Sequence, residues 1–143
     1  PCPTAGRRTP PQYEKEKMKK NKKLEQLDFE IEFFEKLLKE KPDFIEVLMP
    51  LADAYTKRGH YEKGLAIDKK LSELKPDDPV VWYNLSCSLS LLNKTDKSLE
   101  AMKQALAHGY NDMEYLLSDP DLASLRETPG FKELLFKLKN YQN

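Results

Sequence analysis

Hydrophobic positions along the chain recur at steps of three and four residues. From Leu24 they run Leu24, Leu27, Ile31, Phe34 (with Phe33 alongside), Leu37 and Leu38, a stripe on one face of a helix. Pro42 stops that helix, and Lys39 and Lys41 suit its negative C-terminal end. A second helix is predicted from Asp43, as N-cap with Glu46 three residues on in a capping box, to about Arg58, where Gly59 fits a left-handed stop. A third runs from about Tyr61 to Leu74 and is closed by Pro76. Asp78 and Pro79 open a fourth, as cap and first-turn proline, which ends near Leu92. Thr95 is expected to cap a fifth that reaches about Ala107, with Gly109 as its stop. The pattern predicts an all-α chain.

The middle of this pattern occurs twice. Residues 43–76 and 77–110 superpose at an offset of 34. Leu48 then falls on Trp82, Leu51 on Leu85, Ala52 on Ser86, Gly64 on Ser98 and Leu65 on Leu99. Lys41-Pro42-Asp43 returns as Lys75-Pro76-Asp77. A fixed period of this length marks stacked helical hairpins, none of which buries its apolar face alone. The small residues Ala52, Ser86, Gly64 and Ser98 fall where paired helices approach closely.

Trp82, Leu85, Ser86, Leu89, Ser98, Met102 and Ala105 in one copy, and Leu48, Leu51, Ala52, Tyr55, Gly64, Leu71 and Pro76 in the other, resemble the signature of a tetratricopeptide repeat. Asp68 departs from it, standing where an aromatic is usual, and Tyr110 stands where proline is usual. The resemblance implies a short right-handed superhelix of antiparallel helix pairs. Residues 13–42 would form a basic arm and a degenerate first repeat. Residues 111–143 would close the array. Asp119-Pro120-Asp121-Leu122, Leu125-Arg126, Pro129, Phe131, Leu134 and Leu135 resemble the closing segment of bacterial arrays of this family. Leu116, Leu117, Leu122, Leu125, Phe131, Leu134 and Leu135 are expected to cover the last hairpin. Asp119 or Asp121 would cap short turns and pair with Arg126, and Thr128-Pro129 would start a final helix.

Composition changes this picture in one respect. The chain has 143 residues and no net charge, but residues 1–23 hold eight basic groups against Glu14 and Glu16, leaving the remainder acidic by the same margin of six. Residues 1–12 hold four prolines and a glycine and are expected to be a disordered leader. The lysines between Lys15 and Lys23 lack interleaved aromatics for base stacking and an apolar face for membrane insertion, so they read chiefly as a solvated arm. Cys2 and Cys87 form no disulfide or metal spacing, which suits a reducing compartment such as the cytoplasm. The first residue is Pro1, as expected of a fragment or a processed form.

Catalytic chemistry has little to build on. His60 lies in a turn and His108 near a helix end, and no phosphate loop, nucleophile elbow or metal motif is present. The expectation is a non-catalytic module without cofactor or metal. In the resembled family the first helix of each pair lines a concave groove, which directs attention to Glu46, Met49, Asp53 and Lys57 on one helix and Val80, Tyr83, Asn84, Cys87 and Leu91 on the next. Tyr83 and Asn84 are expected to grip an extended partner segment, the ring by area and the amide by backbone pairing. Cys87 reads as a small buried residue rather than a reactive thiol. Pro50 predicts a kink that frees the carbonyl of Glu46. With only Lys57 basic, a clamp for a terminal carboxylate is not expected. The alternative is a rigid spacer or self-association unit whose basic arm contacts nucleic acid or anionic membrane.

Overall fold

The computed structural model describes residues 11–141. Eight α-helices follow one another: α1 (Gln12–Glu40), α2 (Ile45–Arg58), α3 (Tyr61–Leu74), α4 (Pro79–Leu91), α5 (Thr95–Ala107), α6 (Met113–Ser118), α7 (Ala123–Arg126) and α8 (Pro129–Tyr141), with a 3₁₀ turn at Pro120–Leu122 before α7. None of them is long and apolar enough to cross a membrane. The terminators act as their chemistry dictates. Gly59 and Gly109 take φ of 91° and 102°, where a side chain would be strained. Asn93 takes φ 58° after α4, the non-glycine residue type that best tolerates this region. The Asp78 carboxylate accepts the amide of Val80 at 2.9 Å and caps α4, with Pro79 in the first turn.

Three expectations about α1, α2 and α5 are corrected. The arm and the stripe from Leu24 form one uninterrupted helix, not the hairpin of a first repeat, because no glycine or proline breaks 13–40 and the arm has no apolar stripe to pack back. Asp43 does not cap α2. Phe44 occupies the cap position without a side-chain bond, and Asp43 instead pairs with Lys70 at 3.0 Å, whose ammonium also donates to the carbonyl of Pro42 at 2.8 Å. The cap of α5 is Lys94, likewise without a side-chain bond, with Thr95 inside the first turn. Residues 1–10 of the expected leader lie outside the described residues.

The hairpins α2–α3 and α4–α5 stack through α3 on α4, and α1 lies on α2. Ile31, with Leu27, Phe34 and Leu38, meets Leu51, Ala54 and Tyr55. Leu48, Leu71 and Val81 fill the next layer, then Leu65, Leu85, Leu89 and Ala101. The close approach of α4 and α5 is made by two fully buried serines. Ser86 Oγ donates to the carbonyl of Ser98 and Ser98 Oγ to that of Ser86, each at 2.8 Å. Both hydroxyls are thus satisfied where an unpaired one would cost about 1–3 kcal/mol. The result is the expected all-α solenoid.

The tail folds back over the last hairpin. Leu116, Leu122, Leu125 and Phe131 are buried with Tyr83, Cys87, Met102 and Ala105, and Leu134 and Leu135 pack on them. Leu117, expected in this set, is 48% exposed, because the six-residue α6 turns only one leucine inward. Asp112 caps α6 and Asp119 caps the 3₁₀ turn. Arg126 pairs with neither carboxylate. Its guanidinium donates to the backbone carbonyls of Leu116, at 3.1 Å, and Asp119, gathering the end of α6 onto α7. The Leu125 amide donates to the buried Ser90 hydroxyl at 3.2 Å.

Candidate functional site

A cavity of about 150 Å³ opens between α2 and α4, with its far wall supplied by the tail. Met49, Ala52, Asp53 and Thr56 come from α2, Asp68 from α3, Tyr83, Asn84, Cys87 and Ser88 from α4, and Tyr115, Asp119 and Asp121 from the closing segment. Of the residues expected on the groove, Met49, Asp53, Tyr83, Asn84 and Cys87 meet here. Glu46 and Val80 are exposed outside it. Lys57, also outside, is held at 2.7 Å by Asp53, and α2 continues through Pro50.

Tyr83 does not stand free to grip a segment. Its ring is 4% exposed and stacks on Tyr110 with centroids 4.3 Å apart and planes 12° from parallel. Its hydroxyl donates to Asp119 Oδ2 at 2.7 Å. Cys87 is buried and lies 3.7 Å from the same oxygen. The aromatic that reaches solvent at this site is Tyr115, 51% exposed. Asn84 is half-buried on the cavity wall. Among the described residues, its amide is used by none of the side-chain hydrogen bonds here, which join Tyr83, Cys87 and the Asp121 amide to Asp119, Ser88 to Asp68, and Thr56 to the Ala52 carbonyl. Asp68, Tyr115, Asp119 and Asp121 are groove residues that sequence reasoning missed. For Asp68 the available signal is a carboxylate at a position where the repeat pattern wants an aromatic.

The electrostatics are those of an acidic, acceptor-rich hollow. Asp68 is 4% exposed and accepts from Ser88 Oγ. Burial raises its pKa to about 6 against that hydrogen bond, with Asp53 adding to the rise. Burial also raises Asp121, reinforced by Asp119. Asp119 itself accepts from Tyr83, Cys87 and the Asp121 amide. The Tyr115 phenol is pushed up chiefly by the Asp119 carboxylate. Burial, then Asp119 and Asp121, push the Cys87 thiol up, so it stays protonated and unreactive. Among the described residues no group of three or more His, Cys, Asp or Glu is arranged to hold a metal ion. The arrangement offers acceptors and one unused amide to a donor, beside one exposed ring.

Two profiles of the tetratricopeptide repeat match this chain, one over residues 31–86 and one over 79–107, and between them they span more than half of it. The chain belongs to the tetratricopeptide repeat family. Members of the family are in general protein–protein interaction modules without catalytic activity. Among curated proteins, a chloroplastic protein of Arabidopsis thaliana is 37% identical over 84 residues, which cover 57% of this chain and 25% of that protein. A TPR repeat-containing protein of Methanocaldococcus jannaschii is 38% identical over 55 residues, 38% of this chain and 10% of that protein. The matched parts are thus about a quarter and a tenth of those relatives' lengths.

Proposed function

We propose that this tetratricopeptide array is a non-catalytic adaptor that takes an extended segment of a partner protein along α2 and α4, across the cavity closed by residues 115–121. The observation that carries this reading is the cavity itself. It lies on the first helices of both pairs, where segments bind in such arrays, and its wall mixes an unused amide (Asn84), an exposed ring (Tyr115) and carboxylates in one place. A groove of this kind grips backbone with the amide, covers it with the ring at low entropic cost, and favours a segment that brings a hydrogen-bond donor or a positive side chain to Asp53, Asp68 and Asp121. Lys57 at its edge is paired with Asp53, which leaves no free cation there, among the described residues, for a terminal carboxylate. Buried Cys87 suits a compartment that keeps thiols reduced, a description that fits the cytoplasm and equally the chloroplast named for the Arabidopsis relative.

The test is selection from a displayed random peptide library, with the Asn84→Ala/Tyr115→Ala variant as counter-target. Both residues have exposed surface, so the variant should fold as the parent does. Enriched peptides that share a Lys or Arg, and bind the variant at least tenfold more weakly, support the reading. Peptides that bind both proteins equally contradict it.

A further inference from the structure

The N-terminal helix carries a second face that nothing among the described residues covers. Helix α1 meets α2 through Leu27, Ile31, Phe34 and Leu38. At about 100° per residue, Lys15, Met18, Lys22, Glu25, Phe29, Glu32 and Lys36 lie on roughly the opposite side. Their spacing of three and four is that of coiled-coil seam positions, of which Met18 and Phe29 are apolar and the other five charged. The apolar members are open to solvent: Phe29 is 70% exposed, Met18 55% and the neighbouring Phe33 51%. The charges along α1 are segregated in an unusual way. Residues 15–23 hold six lysines against one glutamate, and residues 24–35 hold five carboxylates with no lysine or arginine.

We propose that α1 pairs antiparallel with α1 of a second copy of this chain. One register satisfies both the seam and the charge. With a two-fold axis between Lys23 and Leu24, Met18 faces Phe29 of the other copy, Lys22 faces Glu25 and Lys15 faces Glu32. Each contact is made twice, as a two-fold interface requires. Seam positions then meet their complements as antiparallel helices require, and the basic block of each helix lies along the acidic block of the other. Parallel pairing would set lysine against lysine and carboxylate against carboxylate. The overlap from Lys15 to Glu32 spans roughly 27 Å of helix. Four of the six mated positions are charged, so the pair is weak, salt-sensitive and specific in register rather than tight. It also gives residues 12–23 a reason to be helical. Alone they have no packed face, and a free helical end of this length is marginal in water.

Sedimentation equilibrium over a concentration series tests this, on the whole chain and on two charge-reversed forms, Lys15→Glu/Lys22→Glu and Glu25→Lys/Glu32→Lys. All four positions lie on the seam away from the core, and far-UV circular dichroism checks that each form keeps its helices. The parent should show a monomer–dimer equilibrium whose dissociation constant rises at least tenfold between low and high salt. Each variant alone should be monomeric over the same range. An equimolar mixture of the two should dimerise again, because all four contacts become attractive between unlike copies. A parent that stays monomeric at low salt overturns the proposal. So does a dimer that survives charge reversal, or one that mixing fails to restore.

Discussion

Asp68 is a carboxylate where the helix pair would ordinarily bury an aromatic ring, and its energetic consequence can be worked out. In the folded protein its pKa lies at about 6, raised by burial from 3.8, the value an unfolded chain would show. The native state therefore holds this proton more tightly than the unfolded state. Stability is lost as pH rises from about 4 to about 6 and is constant in this respect above that range. Two pH units at 1.36 kcal/mol each correspond to a penalty of about 3 kcal/mol at neutral pH. Asp68→Asn removes the charge and keeps an oxygen to accept from Ser88 Oγ. The variant should therefore be more stable than the parent at pH 7 by up to about 3 kcal/mol. The gain should shrink through pH 6 and vanish near pH 4. Urea unfolding of both proteins at a series of pH values reads the difference directly, and other titrating groups cancel in it. A variant less stable than the parent at pH 7, or a difference that does not change with pH, would show that Asp68 carries no such burial penalty.

Three further outcomes follow from the packing. Ser90→Ala leaves the buried Leu125 amide without its acceptor and should cost about 1–3 kcal/mol, read by urea unfolding, with the closing segment showing faster amide exchange. At Gly64 an added Cβ would meet Thr56 Oγ1 at 3.0 Å and the Ala52 carbonyl at 3.5 Å. Gly64→Ala should thus be close to neutral, helix propensity offsetting the crowding, whereas Gly64→Leu should lose about 1–3 kcal/mol by overpacking, seen as a lowered thermal midpoint. Met102, fully buried where α5 meets the tail, should cost about 2–5 kcal/mol as Met102→Ala, measured in the same unfolding assay.

The repeat is legible in the sequence because it rests on local period. Spacing locates α3 from Tyr61 to Leu74, and the glycines after α2 and α5 take the left-handed conformation that the turns demand. What is not legible depends on partners distant in the chain. Asp43 reads as a cap until Lys70, 27 residues on, takes its carboxylate. Tyr83 reads as a groove residue until the tail arrives and Asp119, 36 residues later, accepts its hydroxyl. Asp119 reads as a cap of its own turn, and it is one. That its second oxygen reaches α4 is a tertiary fact with no signature in spacing. The same fold-back brings Tyr115 to the cavity rim, so the exposed ring of the groove comes from the closing segment and not from the repeat helices. In α1 the missing signal is a negative one, since a run of lysines without a helix breaker simply continues the helix that follows.

The face formed by α2, α4 and residues 115–121 is proposed to hold the partner segment. Photo-crosslinking tests it most directly. A photoreactive amino acid is placed singly at Asn84, at Tyr115 and, on the outer helix α5, at exposed Gln104, and the products are identified by mass spectrometry with a library-selected peptide as ligand. Adducts are expected from positions 84 and 115 to the same short stretch of peptide, and none from position 104. Adducts from position 104 with none from the groove would contradict it.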